Sequence, residues 1–224
     1  MKKLFLLIFL IIPLILAGQK TKLVKDEANK EEYFVLKSDP SVMHGEYKKF
    51  SSKGKLEILG YFKDGREDST WSFYDSEGEL EQVYDVQKKD VIFFRLNDND
   101  KYRTYRMITG SDTTNVILDR PPLFIGGNGS LVQEVIKRIR YPEEAINSGA
   151  KGRVYISFVI DLDGNTRDFR VLKPLGYGFD EEVIRVLSQL PPNWLPGIYQ
   201  GHPVAVEYIY TATFNTSYIG ADNR

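Results

Sequence analysis

The chain has 224 residues, of which 42% are hydrophobic and 27% are charged, so its composition predicts a folded protein of one or two domains. Its 30 basic and 31 acidic residues give a net charge of −1, which argues against a general nucleic-acid-binding protein. The chain has no cysteine and only two histidines, His44 and His202. Composition therefore excludes disulfides, cysteine nucleophiles and cysteine-ligated metals, and it makes a histidine-based enzyme hard to build.

The first 18 residues have the layout of a secretory signal peptide. Two lysines follow Met1, residues 4–17 form an apolar run, and small residues come next. Fourteen residues in a helix reach about 21 Å, which is short of the roughly 30 Å hydrocarbon core of a membrane. We therefore expect export with cleavage near Gly18, and an uncleaved membrane anchor is the alternative.

Residues 20–110 are predicted to be an antiparallel β-region with a weak internal repeat. Each unit has an aromatic strand, a glycine turn and a second strand. Matching residues recur 24 positions apart: Tyr47 and Trp71, Phe50 and Tyr74, Gly54 and Gly78, Leu56 and Leu80, and Glu57 and Glu81. The pattern resembles MORN-like repeats, as in YwqK-type proteins, and a meander with chance similarity is the alternative. In both cases we expect the aromatic side chains to pack rather than to form a ligand cage.

Residues 97–121 interrupt this pattern. Residues 97–100 are predicted to form a polar turn, and residues 101–110 one more strand. The polar run at 110–114 and the two prolines that follow Arg120 predict a linker between two domains over residues 111–121.

Two helices are predicted in the C-terminal segment 122–217. Apolar residues at helical spacing predict the first helix over 131–140, and Ser130 with Gln133 predicts a capping box at its start. Asp180 is predicted to cap a second helix, which two prolines end at residue 190.

Alternation predicts the strands of the same segment. Residues 154–160 and 204–214 alternate between apolar and polar or exposed positions, and Asp163 with Gly164 predicts a hairpin turn into a strand around Phe169. The order helix, strand, strand, helix, strand predicts an α+β domain with two helices on a three-stranded antiparallel sheet. Residues 218–224 are predicted to be a polar tail.

This segment resembles the C-terminal domain of the TonB family, in the form common in Bacteroidota. Motif residues occur in order and with the spacing of the family. They are Tyr141, Pro142, Gly152, Asp163, Gly164, Phe179, Asp180, Trp194, Pro196 and Gly197. We interpret them as structural residues rather than as ligand-binding groups.

The resemblance implies a periplasmic protein that binds an extended segment of TonB-dependent outer-membrane transporters by strand addition. The last strand corresponds to the pairing strand of the family, and an exposed edge strand favours such pairing. The predicted peptide-binding edge comprises Val204, Val206, Glu207, Tyr208, Ile209, Tyr210 and Thr211. The resemblance also implies a plasma-membrane motor complex as a partner if the chain is anchored, and it leaves a homodimer open.

The chain departs from a full energy transducer of this family in two ways. Residues 4–17 lack a polar group that could couple to a motor, and residues 20–120 replace a long spacer rich in proline and lysine. The alternative is a periplasmic scaffold in which the β-region binds the partner and the TonB-like domain mediates assembly. Exposed aromatic side chains over residues 47–84 favour this scaffold, whereas an open edge over 204–214 favours transporter binding.

No motif indicates an enzyme, a cofactor or a metal site. Residues 161–165 carry two aspartates but lack the glycine and glutamate spacing of a calcium-binding EF-hand. Residues 126–129 are glycine-rich but lack the pattern of a phosphate-binding loop. The acids at 180–182 are typical of a helix start, where the dipole favours them.

Overall fold

The computed structural model describes residues 19–96 and 102–215, and these residues form two large antiparallel sheets and a third sheet of two short strands. The predicted signal peptide at 1–18 and the predicted tail at 218–224 lie outside the described residues. Within the described ranges, no helix is long and apolar enough to cross a membrane.

The first sheet has seven strands, and each pairs with its neighbour in the chain. This simple order follows from short turns between strands whose side chains alternate. The strands are β1 (Thr21–Asp26), β2 (Glu31–Leu36), β3 (Met43–Phe50), β4 (Leu56–Lys63), β5 (Arg66–Tyr74), β6 (Leu80–Asp85) and β7 (Asp90–Phe94).

Two turns of this sheet have the same construction. Gly54 and Gly78 both have positive φ, at 76° and 85°. In each turn the backbone N–H that opens the loop donates to a carbonyl four residues later, from Ser51 in one turn and from Asp75 in the other. The two glycines that match at an offset of 24 therefore occupy equivalent turns. Their likeness to MORN repeats stays a prediction.

Trp71 is the centre of the aromatic packing in the first sheet. Its ring lies 5.5 Å from that of Tyr47 and 5.2 Å from that of Phe62. A Cβ on Gly60 would lie 2.5 Å from the Trp71 ring, so the indole covers a position that only glycine fits. Trp71 and Phe73 are buried.

The second part of the chain combines three helices with a larger sheet. Its elements are β8 (Thr104–Thr109), β9 (Asp112–Ile117), β10 (Leu123–Phe124), α1 (Gly127–Ile136), α2 (Glu143–Ser148), β11 (Gly152–Ile160), β12 (Thr166–Lys173), α3 (Phe179–Ser188), β13 (Trp194–Leu195), β14 (Gly197–Tyr199) and β15 (His202–Phe214).

The larger sheet has the strand order β12-β11-β15-β8-β9, and β14 also pairs with β15. The prediction of three strands and two helices is therefore too small. The three predicted strands are β12, β11 and β15, and the hairpin β8–β9 extends them. The predicted linker at 111–121 is wrong, because it contains β9.

The helices cover one face of this sheet and form the main core. Buried residues of α1 and α3, such as Leu131, Val183 and Leu187, pack with Ile156 and Phe158 of β11. Alternation in β11 and β15 directs every second side chain into this core, as the sequence predicted.

The first sheet contacts the segment that leads into α1 at Gln82 of β6, which is buried. Its amide nitrogen donates to the carbonyl of Phe124 at 3.1 Å, and its amide oxygen accepts the N–H of Gly126 at 2.8 Å. Glu81 accepts the N–H of Asn128 at 2.9 Å. These acceptors lie at the start of α1, where helical N–H groups lack partners within the helix.

This junction explains why α1 starts earlier than predicted. The helix begins at Gly127 after Gly126, whose φ is 103°, and it has no side-chain cap. Ser130 lies inside the helix, so the predicted capping box is wrong. A distant glutamate and glutamine supply acceptors that local sequence reasoning assigned to Ser130.

Candidate partner-binding sheet

The predicted peptide-binding edge lies on β15, near the middle of the larger sheet. On one side, β11 pairs with β15 from Val206 to Phe214 without a register shift. Val204 pairs with Gly197 of β14, and on the side opposite β11, Val206 and Glu207 pair with Met107 and Arg106 of β8. The strand continues alongside β11 through Tyr208, Ile209, Tyr210 and Thr211.

The prediction that the whole of 204–214 forms an open edge is therefore wrong for residues 204–207. Val206 and Glu207 have strands on both sides, and residues 202–205 pair with β14 or with β8, so the backbone of this stretch already takes part in the sheet. The physical reason is the long-range pairing of β8 with β15, which no local pattern around residue 104 specifies.

The side chains of β15 divide between two faces. Val206 is fully buried, and Tyr208 and Tyr210 pack against the helical core. Ile209 is 42% exposed on the opposite, helix-free face. Thr211 is also exposed on that face. Ile209 is therefore an isolated apolar side chain beside a polar one.

Sequence reasoning missed the hairpin β8–β9 as part of this sheet. Its turn consists of Gly110 and Ser111 between Thr109 and Asp112, and Gly110 has φ of 62°. A glycine first in a two-residue turn is a hairpin signal that could have predicted β9. The sequence contained no comparable signal for its attachment to β15.

Several residues of the TonB-like motif stabilise the turns and the core next to this sheet. Gly164 has φ of 79° in the turn after β11, and a Cβ there would lie 2.0 Å from the carbonyl oxygen of Trp194. Trp194 is buried and packs its ring 5.3 Å from Phe124 and 4.9 Å from Tyr208. Asp163 lies in the same turn and is exposed, whereas Gly164 is buried.

Other motif residues hold the helices and the connecting segments in place. The Tyr141 ring lies 5.3 Å from Phe179 and 5.8 Å from Phe214, and its hydroxyl donates to the carbonyl of Ala150 at 2.6 Å. The remaining contacts are those of Pro142 with Gly178, Gly152 with Leu175, Gly197 with Leu118, and the Pro196 carbonyl with Arg120.

Asp180 lies within the first turn of α3 rather than at its cap, which is Gly178. Its carboxylate accepts the backbone N–H groups of Leu175 and Gly176 at 2.8 to 3.1 Å. The prediction that Asp180 is the N-cap of this helix is therefore wrong. The carboxylate ties the loop after β12 to the helix.

A cleft of about 470 Å³ lies between the end of α1 and α3 and is lined mainly by cationic residues. Glu134 pairs with Lys137 and Arg138, and Glu182 pairs with Arg185. Burial alone would raise the pKa of Glu182, but hydrogen bonds from Arg185 and from the backbone N–H of Arg140 outweigh burial and lower it. Acids thus offset much of the positive charge of the cleft.

Metal-binding side chains do not gather in the described parts of the chain, since residues 19–96 and 102–215 hold no group of three or more histidine or acidic residues suited to an ion.

Comparison with known proteins found a match to the part of the chain that follows α1. Residues 137–216 match the family model of the Gram-negative bacterial TonB protein C-terminal. The match confirms the TonB-like resemblance for a little over a third of the chain. No curated protein matches the chain.

The matched TonB-like region contains α2, α3 and the strands from β11 to the end of β15. Domains of this family are periplasmic interaction domains without enzymatic activity. The first sheet and the hairpin β8–β9 lie outside the match. The larger sheet is thus built from the matched strands and from two strands that precede them.

Proposed function

We propose that this protein binds an extended segment of a TonB-dependent outer-membrane transporter by adding that segment as a strand to the larger sheet. The match of residues 137–216 to the TonB C-terminal model carries this proposal. An antiparallel sheet with outer strands supports it physically, because main-chain groups at a sheet edge can pair with a partner strand.

Two further features support a binding role over catalysis. The motif residues of the matched region hold turns and helices in place, as Gly164 does beneath the carbonyl of Trp194. The Tyr141 hydroxyl likewise donates a hydrogen bond to the backbone carbonyl of Ala150. We therefore assign these residues to the rigidity of the sheet that binds the partner.

The scaffold alternative depends on exposed aromatic side chains in the first sheet. Trp71 and Phe73 are buried, and Tyr61 is 39% exposed. The aromatic side chains of the repeat therefore serve mainly to pack the first sheet. We do not propose the first sheet as the transporter-binding surface.

Export of the chain is part of the same proposal. We expect cleavage near Gly18 and release into the periplasm. The intact mass of protein recovered from periplasmic and membrane fractions tests this, since a full-length species in the inner membrane would instead indicate an anchored protein.

Peptide binding tests the central proposal. The full chain would be titrated with fluorescent peptides that copy the periplasm-facing N-terminal segments of the outer-membrane transporters of the same cell. We expect at least one peptide to bind, with a fluorescence anisotropy change that peptides of shuffled sequence do not produce. If no transporter peptide binds better than its shuffled control, the proposal fails.

A further inference from the structure

In the part of the chain that the structure describes, four strands lie at the ends of the two large sheets. β1 and β7 are the outer strands of the first sheet, and β12 and β9 those of the larger sheet. Natural sheets protect such edges with charges, bulges, prolines or short strands, because an unprotected edge pairs with other chains.

β12 and β1 carry this protection. The pairing of β12 with β11 contains two register shifts, and Asp168 has a positive φ of 57°. Four of the eight residues of β12 are charged. β1 carries Lys22, Lys25 and Asp26 within six residues.

β7 is the nearest rival as a pairing edge. It is five residues long, and Ile92 and Phe93 are 52% and 42% exposed. However, its pairing with β6 is interrupted by a register shift at Ile92, and its first residue, Asp90, is held by Arg120 at 2.5 Å. A bulge of this kind interrupts the regular ladder that an added strand requires.

From Thr113 onward, β9 has no charge, bulge or proline to protect it, and its only charged residue is Asp112 beside the turn. All six of its residues pair with β8 in an unbroken register, from Asp112 opposite Thr109 to Ile117 opposite Thr104. Residues 113–117 contain no charge, no proline and no glycine, and four of the five are β-branched. Val116 is buried, and the other residues of β9 are exposed.

The turn of the hairpin determines which backbone groups of β9 face outward. In a two-residue hairpin the pair that closes the turn is hydrogen-bonded, and bonded and non-bonded pairs then alternate. Thr109 and Asp112 close the turn here, so Thr114 and Val116 direct their N–H and C=O groups to β8. The corresponding groups of Thr113, Asn115 and Ile117 point away from the sheet.

We propose that β9 is the strand to which the partner segment pairs, an inference that rests on the proposed function and locates its site. The hairpin β8–β9 pairs with β15 at residues 205–207, and along that stretch the edge of the sheet lies at β9 rather than at β15. The hairpin precedes the matched residues 137–216, so this site belongs to the part of the sheet that the chain adds to the TonB-like region.

The edge fits a short, largely uncharged segment with β-branched or apolar residues at alternate positions. Six residues of strand span about 20 Å. Ile117 is 52% exposed beside this edge and favours an apolar neighbour on the added strand. Arg106, the nearest cation on β8, is already paired with Glu207, so the edge offers little attraction to an acidic segment.

A peptide fits this edge better than a second copy of the chain. A stable protein dimer buries roughly 1,000 Å² or more, whereas one strand of six residues provides only a narrow contact. An extended peptide gains its affinity from main-chain hydrogen bonds along such a strand.

The test uses the transporter peptide that binds the full chain most tightly. Asn115→Pro removes an outward N–H while leaving the bonds between β8 and β9, and proline is tolerated on the outer side of an edge strand. We expect it to weaken peptide binding at least tenfold. Asn115→Thr keeps the N–H, and Ile92→Pro alters the rival edge at its bulge, so both should bind within about twofold of wild type.

A measurement on the unmodified chain keeps the test independent of folding of the proline variant. Peptide binding should slow amide hydrogen exchange at Thr113, Asn115 and Ile117. If the peptide binds but protects other strands, or if Asn115→Pro folds and binds as wild type does, the β9 site is wrong and the proposed function stands. If no peptide binds the wild type, both are wrong. Concentration-dependent dimerisation with protection at β9 would also overturn the choice of a peptide as partner.

Discussion

Arg106 of β8 and Glu207 of β15 are direct cross-strand neighbours, with 3.4 Å between a guanidinium nitrogen and a carboxylate oxygen. They lie 101 positions apart in the chain and join the hairpin β8–β9 to the TonB-like region. The same three-residue pairing places Met107 opposite Val206, which is fully buried. The junction therefore combines an exposed ion pair with a buried apolar contact.

The ion pair should contribute little to the attachment of the hairpin. The Arg106 side chain is 47% exposed, and exposed pairs typically contribute about 0–1 kcal/mol. We expect Arg106→Ala to lower the free energy of unfolding by no more than about 1 kcal/mol in urea denaturation. The double variant with Glu207→Ala should lose little more than Arg106→Ala alone. A loss above about 2 kcal/mol for either single variant would contradict this prediction.

Local patterns in the sequence predicted the elements whose residues alternate or repeat over short distances. The strand ending at Phe214 and the turn at Gly164 follow from such patterns, since the side-chain period and the turn glycine are properties of adjacent residues. The neighbour of β15 on its second side could not be predicted in this way. Its identity depends on pairs such as Ala205 and Ile108, which are distant in the chain.

The start of α1 also depends on residues that are distant in the chain. Local reasoning assigned the helix cap to Ser130, whereas acceptors from β6 extend the helix back to Gly127. A Cβ at Gly127 would lie 2.6 Å from a carboxylate oxygen of Glu81, so this glycine is required by a distant contact. The glycine-rich run was visible in the sequence, but the side chain that approaches it was not.

Gln82 should be the most sensitive polar residue of the junction between the first sheet and the segment that leads into α1. Gln82→Ala leaves the carbonyl of Phe124 and the N–H of Gly126 without their buried partner. We expect a loss of about 1–3 kcal/mol in the free energy of unfolding, because a buried polar group without a hydrogen bond retains its desolvation cost. Thermal and urea denaturation of the full chain would measure this loss.

Gln87 provides the matched control for this change. It is exposed, and its amide donates to Asp68 at 3.3 Å. Gln87→Ala should change stability by no more than about 0.5 kcal/mol. Equal effects of the two alanine variants would show that the Gln82 hydrogen bonds do not stabilise the junction.

Gly60 should not tolerate a side chain beneath Trp71. A Cβ at this position would overlap the indole ring, so Gly60→Ala must displace Trp71 from its contacts with Tyr47 and Phe62. We expect a loss of about 1–3 kcal/mol, which is typical of overpacking. The tryptophan fluorescence should also change because the indole moves.

Gly129 in α1 is the control for the Gly60 substitution. The nearest atom to a Cβ there is 3.9 Å away, on Glu81. Gly129→Ala should therefore raise stability by up to about 1 kcal/mol, because alanine is the better helix former. A stabilising effect of alanine at both glycines would rule out the steric role of Trp71.

Glu182 should make the stability of the helical face depend on pH. Its carboxylate accepts the backbone N–H of Arg140 at 2.6 Å and pairs with the Arg185 guanidinium at 2.6 Å. Although burial opposes the effect, these hydrogen bonds lower its pKa below the ordinary value of 4.5. A carboxyl with a lowered pKa in the folded state binds protons more readily when unfolded. Its stabilisation is therefore complete above the unfolded pKa and is lost as pH falls through the folded pKa.

Glu182→Gln should consequently destabilise the protein at pH 7 and have a much smaller effect at pH 3, where the wild-type carboxyl is increasingly protonated. Urea midpoints for both proteins at pH 7, 5 and 3 would measure the difference. Glu181→Gln, at the exposed neighbouring position of α3, is the control for removing one carboxylate from the same helical turn. If the Glu182→Gln deficit is equally large at pH 3, ionisation of Glu182 does not provide the stabilisation, and the packing of its side chain against Arg185 must do so instead.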